Sequence, residues 1–159
     1  MGVEIERKFL VNRAVWNKTS KHNGTHYRQG YILSDPDKTV RVRLAGDEAH
    51  LTIKGPSVGA SRPEFEYKIP ASDASELLNQ FCTSEISKIR FKVYHEGKLW
   101  EVDEFLGENA GLMVAELELA DEHETFSLPD WIEREITDDV RYYNARLSVN
   151  PYKNWKEGV

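Results

Sequence analysis

The sequence predicts a mainly β fold of the α+β class: an eight-stranded antiparallel closed β-barrel with a few flanking helices and a C-terminal helix. Three observations carry that expectation. Apolar and polar residues alternate with period two through most of the chain, as in Val3-Glu4-Ile5-Glu6 and Val40-Arg41-Val42-Arg43, which is the pattern of half-buried strands. The breaks between these runs are short and rich in turn residues, so successive strands fold back on one another instead of crossing over through helices. Every long run carries one ionic row and one apolar row, an arrangement that suits a meander closed into a barrel.

Strands are expected over 2–11, 26–34, 39–45, 48–55, 62–70, 86–95, 98–105, 112–119 and 132–137. Asp35-Pro36-Asp37, Ala45-Gly46-Asp47 and His95-Glu96-Gly97 supply the tight turns between neighbours. Gly55-Pro56-Ser57-Val58-Gly59 is glycine-rich, but it lacks the Gly-Lys-Ser/Thr ending of a phosphate-binding loop and reads as an ordinary hairpin loop. Pro70 ends a strand, and Asp73 with Glu76 three residues later resembles a capping box that opens a helix through Leu77, Leu78 and Phe81. A second helix is expected from Asp138 or Asp139, carrying Val140, Tyr143 and Leu147 and stopping before Pro151. No internal repeat or linker divides the chain, so residues 1–159 are expected to form a single domain.

With 159 residues, 40% of them hydrophobic, the chain is long enough for one domain with a real core. The formal net charge of -6 argues against a nucleic-acid binder that relies on an overall basic surface. A single cysteine, Cys82, rules out an internal disulfide and reads as filler on the buried side of a helix. The histidines at 22, 26, 50, 95 and 123 lack metal-ligand spacing. There is no signal peptide, no apolar run long enough to span a bilayer and no myristoylation pattern after Gly2, so a soluble cytoplasmic protein, monomer or homodimer, with no nucleic-acid or membrane partner, is expected. The tryptophans at 16, 100, 131 and 155 fall at element ends, as for rim packing or lids.

The ionic rows carry the chemistry. Residues i and i+2 of a strand share a face about 6.6 Å apart, so Glu4/Glu6, Arg41/Arg43, Lys88/Arg90 and Glu116/Glu118 each set like charges side by side. A solvated sheet face mixes both signs, whereas here acid pairs and base pairs are sorted onto separate strands. Acid pairs call for a divalent cation and basic pairs for a polyanion, so the rows read as a site for a metal-complexed phosphate compound in a wet lumen. Tyr27 and Tyr31 share a face with Gln29 and either line that lumen or pack in the core. Glu133 and Glu135 form one more same-face acid pair, inside or facing solvent.

The run Glu4-Ile5-Glu6-Arg7-Lys8 resembles the N-terminal ExExK signature of the CYTH superfamily, the triphosphate tunnel metalloenzymes. Arg28-Gln29-Gly30-Tyr31, Arg41-Val42-Arg43, Thr52-Ile53-Lys54, Arg62 with Glu64 and Glu66, Lys88 and Arg90, Glu101 with Asp103, Glu116-Leu117-Glu118 and the closing Asp139, Tyr142, Asn144 and Leu147 extend the likeness over nearly the whole chain. The resemblance implies an eight-stranded tunnel for a linear, small-molecule triphosphate. It implies Mg²⁺ or Mn²⁺ on Glu4, Glu6, Glu116 and Glu118, with Asp103 a further candidate, and phosphate contacts from Lys8, Arg41, Arg43, Lys54, Lys88 and Arg90. Lys8, Lys88 and Arg90 are the expected catalytic residues. Arg62, Glu64 and Glu66 serve either substrate and a second metal or the orientation of other side chains. Thiamine triphosphatases of the family carry Trp two residues before the Arg-x-Arg pair; here it is Thr39, which favours a substrate with little organic part. Metal-dependent hydrolysis of tripolyphosphate is the leading reading. A class IV type adenylyl cyclase and a non-catalytic polyphosphate- or nucleotide-binding module are the alternatives.

Overall fold

The computed structural model describes residues 2–155. Its strands are β1 (Gly2–Val11), β2 (Thr25–Asp35), β3 (Lys38–Ala45), β4 (Glu48–Lys54), β5 (Ser61–Ile69), β6 (Ser84–His95), β7 (Lys98–Phe105), β8 (Met113–Glu118) and β9 (Ile132–Glu135). All pairings between these strands are antiparallel. They run in the order β5-β4-β3-β2-β6-β7-β8-β1-β9, and β5 also pairs with β1, so β1 to β8 close into an eight-stranded barrel. The predicted turns fall where the sequence puts them, with Gly46 and Gly97 at positive φ of 63° and 80°.

Closure depends on β1. One edge pairs with β8 over Glu6–Leu10, while the opposite edge is shared: Gly2–Ile5 pair with β5 and Phe9–Val11 with β9. Between those stretches the backbone N–H of Glu6 donates to Ala60 O (3.0 Å) and that of Lys8 to Thr137 Oγ1 (3.0 Å), so no strand edge is left open in the gap.

The apolar rows face outward, where three clusters form. Phe9, Trp16, Trp100, Val102, Leu117 and Trp131 make the largest, and Trp16, Trp100 and Trp131 meet edge to face. These three tryptophans are therefore core residues and not lids: each is at most 3% exposed. A short helix the sequence reading lacks, α1 (Arg13–Asn17), brings Trp16 there; Asn12 caps it by accepting from Val15 N. Helix α2 (Ala71–Gln80) lays Ala74 and Leu78 on Val42 and Ala49. It starts two residues before the expected cap: Pro70 holds the N-cap position and Asp73 lies in the first turn, where a carboxylate favours the helix dipole. Cys82 lies beyond the helix end, and its Sγ faces Gly30 so closely that an added Cβ would stand 2.8 Å away. That contact is why glycine occupies the outward position of the Arg28-Gln29-Gly30-Tyr31 run.

The expected closing helix is split. Asp139 accepts from Arg141 N and caps a 3₁₀ turn over Val140–Tyr142, Tyr143 is extended, and α3 spans Asn144–Val149. The break sends Tyr142 and Leu147 into the outer core and places Tyr143 and Asn144 against the barrel opening. Among the described residues no helix is long and apolar enough to cross a membrane.

Candidate active site

Alternation turns the ionic rows inward. Glu4, Glu6, Lys8, Arg41, Arg43, Lys54, Arg90, Glu116 and Glu118 line one lumen cavity of about 310 Å³. Arg62 lines an adjoining space of about 60 Å³, which shares Glu4, Glu6, Lys8, Arg41 and Lys54 with the cavity. Two of the expected residues are one layer back: the Lys88 and Asp103 side chains are both 0% exposed and line neither space.

Strand register explains who meets whom. Glu6 stands opposite Glu118, and Lys8 opposite Glu116. Lys8 Nζ donates to Glu116 Oε2 at 3.0 Å and lies 3.4 Å from Glu6. Lys54 donates to both oxygens of Glu4, at 3.0 and 3.2 Å, with Glu64 at 3.5 Å. Arg41 reaches Thr52 Oγ1 (3.2 Å) and Glu66 (3.4 Å), and its buried Nε has no partner among the described residues. Arg90 grips Asp103 through Nε and Nη2 (2.7 and 2.8 Å) and Glu116 through Nη2 (3.0 Å). Lys88 donates to Asp103 (2.7 Å) and to Asn144 Oδ1 (3.1 Å). Both Asp103 oxygens are thus engaged by cations.

The acid wall carries more negative charge than its lysines balance. Burial, then Glu116, push the Glu6 carboxyl up to about 8 in spite of Lys8. Glu118 is also raised, by burial and by Glu4. Burial opposes ionisation of Glu4 and Glu116, but Lys54 holds the first below its usual value and Lys8 and Arg90 hold the second well below. On the basic side, burial and then Arg90 lower Lys88 to about 7, Asp103 notwithstanding, while burial, Arg41 and Arg90 lower Arg43 to about 10.

A family model described as the CYTH domain matches residues 2–145. The chain belongs to the CYTH family. A curated relative from Acetivibrio thermocellus named inorganic triphosphatase is 54% identical over 158 residues, covering 99% of this chain and 100% of that one. A second of the same name, from Nitrosomonas europaea, is 34% identical over 151 residues, covering 92% and 97%. The crystal structure of the inorganic triphosphatase NE1496 superimposes with a TM-score of 0.65 at 31% identity, covering 92% of this chain and 94% of that one.

CYTH membership implies a divalent metal. Among the described residues no group of three or more His, Cys, Asp or Glu side chains could hold an ion by itself: Glu4 and Glu116 are turned onto Lys54, Lys8 and Arg90. The donor set nevertheless fits a hard cation of the Mg²⁺ type, which takes one or two carboxylates and completes its octahedron with water and substrate oxygens. Glu6, whose carboxyl is pushed up by burial and then by Glu116, is the group a cation would relieve.

Two residues of the site in this CYTH chain escape the sequence reading as site groups, one behind the cavity wall and one in it. Gln29, 0% exposed, accepts from Arg43 Nε at 3.1 Å. Asn144 lines the cavity and accepts from Lys88. Gln29 could have been found from its position between Tyr27 and Tyr31, both of which do line the lumen spaces. Asn144 lies in the closing segment, and only the break before α3 aims it inward. The pair Glu133/Glu135 is outside the barrel: both are exposed, and Glu135 is paired with Arg7.

Proposed function

We propose that this chain is a metal-dependent inorganic triphosphatase that cleaves tripolyphosphate in a single tunnel domain. The observation that supports this best is the convergence of six cations (Lys8, Arg41, Arg43, Lys54, Arg90 and Lys92) and eight glutamates, Glu4, Glu6, Glu116 and Glu118 among them, on one cavity of about 310 Å³. That volume is at the small end of the roughly 300–1,000 Å³ range of ligand pockets, which favours a substrate with little organic part. Thr39, in place of a tryptophan, lines the adjoining space and agrees with it. The two relatives' shared name points the same way.

In this reading Arg41, Arg43, Lys54 and Arg90 hold non-bridging phosphate oxygens through charge-assisted contacts. Glu4, Glu6, Glu116 and Glu118 are the carboxylates for Mg²⁺ or Mn²⁺, the two ions their hard oxygens suit. A bound divalent cation supplies neutralisation of the phosphate charge, polarisation of the phosphorus and a water of lowered pKa. Lys8, between Glu6 and Glu116 and inside the cavity, sits where acid and base walls meet and can release Glu116 to a cation as substrate oxygens take its place. Asp103 serves to fix Arg90 and Lys88 instead of binding metal, because both its oxygens already accept from them. Lys88, behind the wall, acts through Asn144. Glu64 and Glu66 orient Lys54 and Arg41. Arg62 donates twice to Gly55 O and holds the 55–60 loop at the opening.

The test is to incubate the purified chain with tripolyphosphate, ATP or thiamine triphosphate, each with Mg²⁺ or Mn²⁺, and identify the products. Phosphate released fastest from tripolyphosphate is expected. Cyclic AMP with pyrophosphate from ATP would replace this reading by the cyclase one, and binding without product by that of a binding module.

A further inference from the structure

Of the six basic residues expected to grip phosphate, five have a carboxylate partner: Lys8, Arg41, Lys54, Lys88 and Arg90. Arg43 has none among the described residues. Its guanidinium is nevertheless fixed. Gln29 stands directly opposite it across the β2–β3 pair, and the Gln29 amide oxygen accepts from Arg43 Nε at 3.1 Å. The Gln29 amide nitrogen donates in turn to Tyr31 Oη at 3.1 Å, which sets the amide's orientation. On the other side, Arg43 Cζ lies 5.2 Å from the centre of the Tyr27 ring.

Tyr27 holds more than one cation. Arg90 Cζ is also 5.2 Å from its centre, and Lys88 Nζ is 5.9 Å away. Significant cation–π contacts occur roughly once per 70–80 residues, so three on one buried ring mark a built arrangement. The register makes it: Tyr27 pairs with Lys88 on β6 and with the small Ala45 on β3, which leaves the ring face clear for Arg43 two residues along.

We propose that Gln29 and Tyr27 are positioning residues that form an uncharged cradle for Arg43, holding its guanidinium still while leaving its full charge for the substrate. A carboxylate in the same place would orient Arg43 equally well and cancel the charge that an anion needs. An amide oxygen and a π face supply direction without that neutralisation, and the ring attracts both Arg43 and Arg90 and so offsets their mutual repulsion. The proposal rests on the triphosphatase reading above for its ligand and deepens it by naming what keeps one cation available.

The decisive variant is Gln29→Glu, which gives Arg43 a charged partner of the same shape. Its KM for tripolyphosphate is expected to rise about tenfold or more, the loss of one charge-assisted contact, with a smaller change in kcat. Its melting temperature should stay level or rise, because a new ion pair forms. A purely structural role for Gln29 would move affinity and stability together. An unchanged KM in folded Gln29→Glu protein overturns the proposal. If that variant does not fold, Tyr27→Leu and Tyr27→Phe decide: leucine should raise KM several-fold and phenylalanine recover most of the loss, and equal KM values for the two overturn it. Wild-type protein that does not hydrolyse tripolyphosphate refutes the triphosphatase reading instead, and the same variants are then compared by calorimetric tripolyphosphate affinity, with the same two outcomes.

Discussion

The two faces of β7 have opposite tasks. Its outward side chains, Trp100 and Val102, are fully buried among aromatic neighbours, while the inward pair, Glu101 and Asp103, meets Arg90 on the neighbouring strand β6. The same alternation recurs on β1 and β8. An ordinary barrel fills its interior with side chains and wets its surface; this one covers much of its outer face with α1, α2 and the closing segment, leaves Val3, Ile53, Phe65 and Tyr67 exposed, and keeps the inside charged. The comparison separates stability from chemistry: outer rows supply apolar burial, and inner rows collect charges whose desolvation works against the fold. Changes on the two faces should therefore affect different measurements.

The largest effect is expected inside. Arg90→Met removes the fork that holds Asp103, Glu116 and, in our reading, a phosphate oxygen, and kcat should fall by about a hundred- to a thousandfold, as when a positioned charge stabiliser is lost. Steady-state kinetics on tripolyphosphate, with circular dichroism to show a folded protein, measures it. On the outer face, Trp100→Ala should cost about 3–5 kcal/mol of stability. Denaturant unfolding reads that loss, and the KM of the protein still folded should not move.

A smaller effect comes from the acid wall and has a definite sign. The Glu6 carboxyl is raised from the ordinary 4.5 to about 8 in the folded chain, so the folded state holds a proton that the unfolded state gives up. Stability of the metal-free protein should then fall as pH rises from about 5 to about 7, and Lys88, lowered to about 7, works the other way only above that window. Melting curves across this range check the slope. Glu6→Gln should flatten it, and Mg²⁺, which competes with the proton, should reverse it at the upper end. The smallest effect belongs to the exposed Glu133→Gln, expected to change stability by less than about 0.5 kcal/mol and turnover not at all. Its contrast with an identical change at Glu116 is the sharpest comparison between an acid on the outside and one on the inside.

Much of this was legible in the sequence because period two assigns faces without knowledge of the partner strand. The inward sets on β1, β3, β6 and β8 follow from counting alternate residues, and the sorting of charge by strand is what distinguishes them from a wetted surface. What period two cannot supply is depth. Lys88 and Arg90 are equivalent in the pattern, yet one lies behind the wall and the other in it, because Asp103 and Asn144 draw Lys88 back. Glu133 and Glu135 match the signal of Glu116 and Glu118 but pair with solvent and Arg7, because β9 adds to β1 outside the closed ring. The closing segment reads as one helix because Val140, Tyr143 and Leu147 keep helical spacing across a break that the Asp139 cap and the extended Tyr143 impose. Helix α1 is only five residues long, too short for a periodic signal.

The central claim is that the inward charges work together on a metal-bound triphosphate. Phosphate release from tripolyphosphate, followed for the wild-type chain with Mg²⁺, with a chelator, and for Glu6→Gln with Mg²⁺, tests it most directly. Rapid release only in the first case is the predicted result; equal release in all three, or none in any, would contradict it.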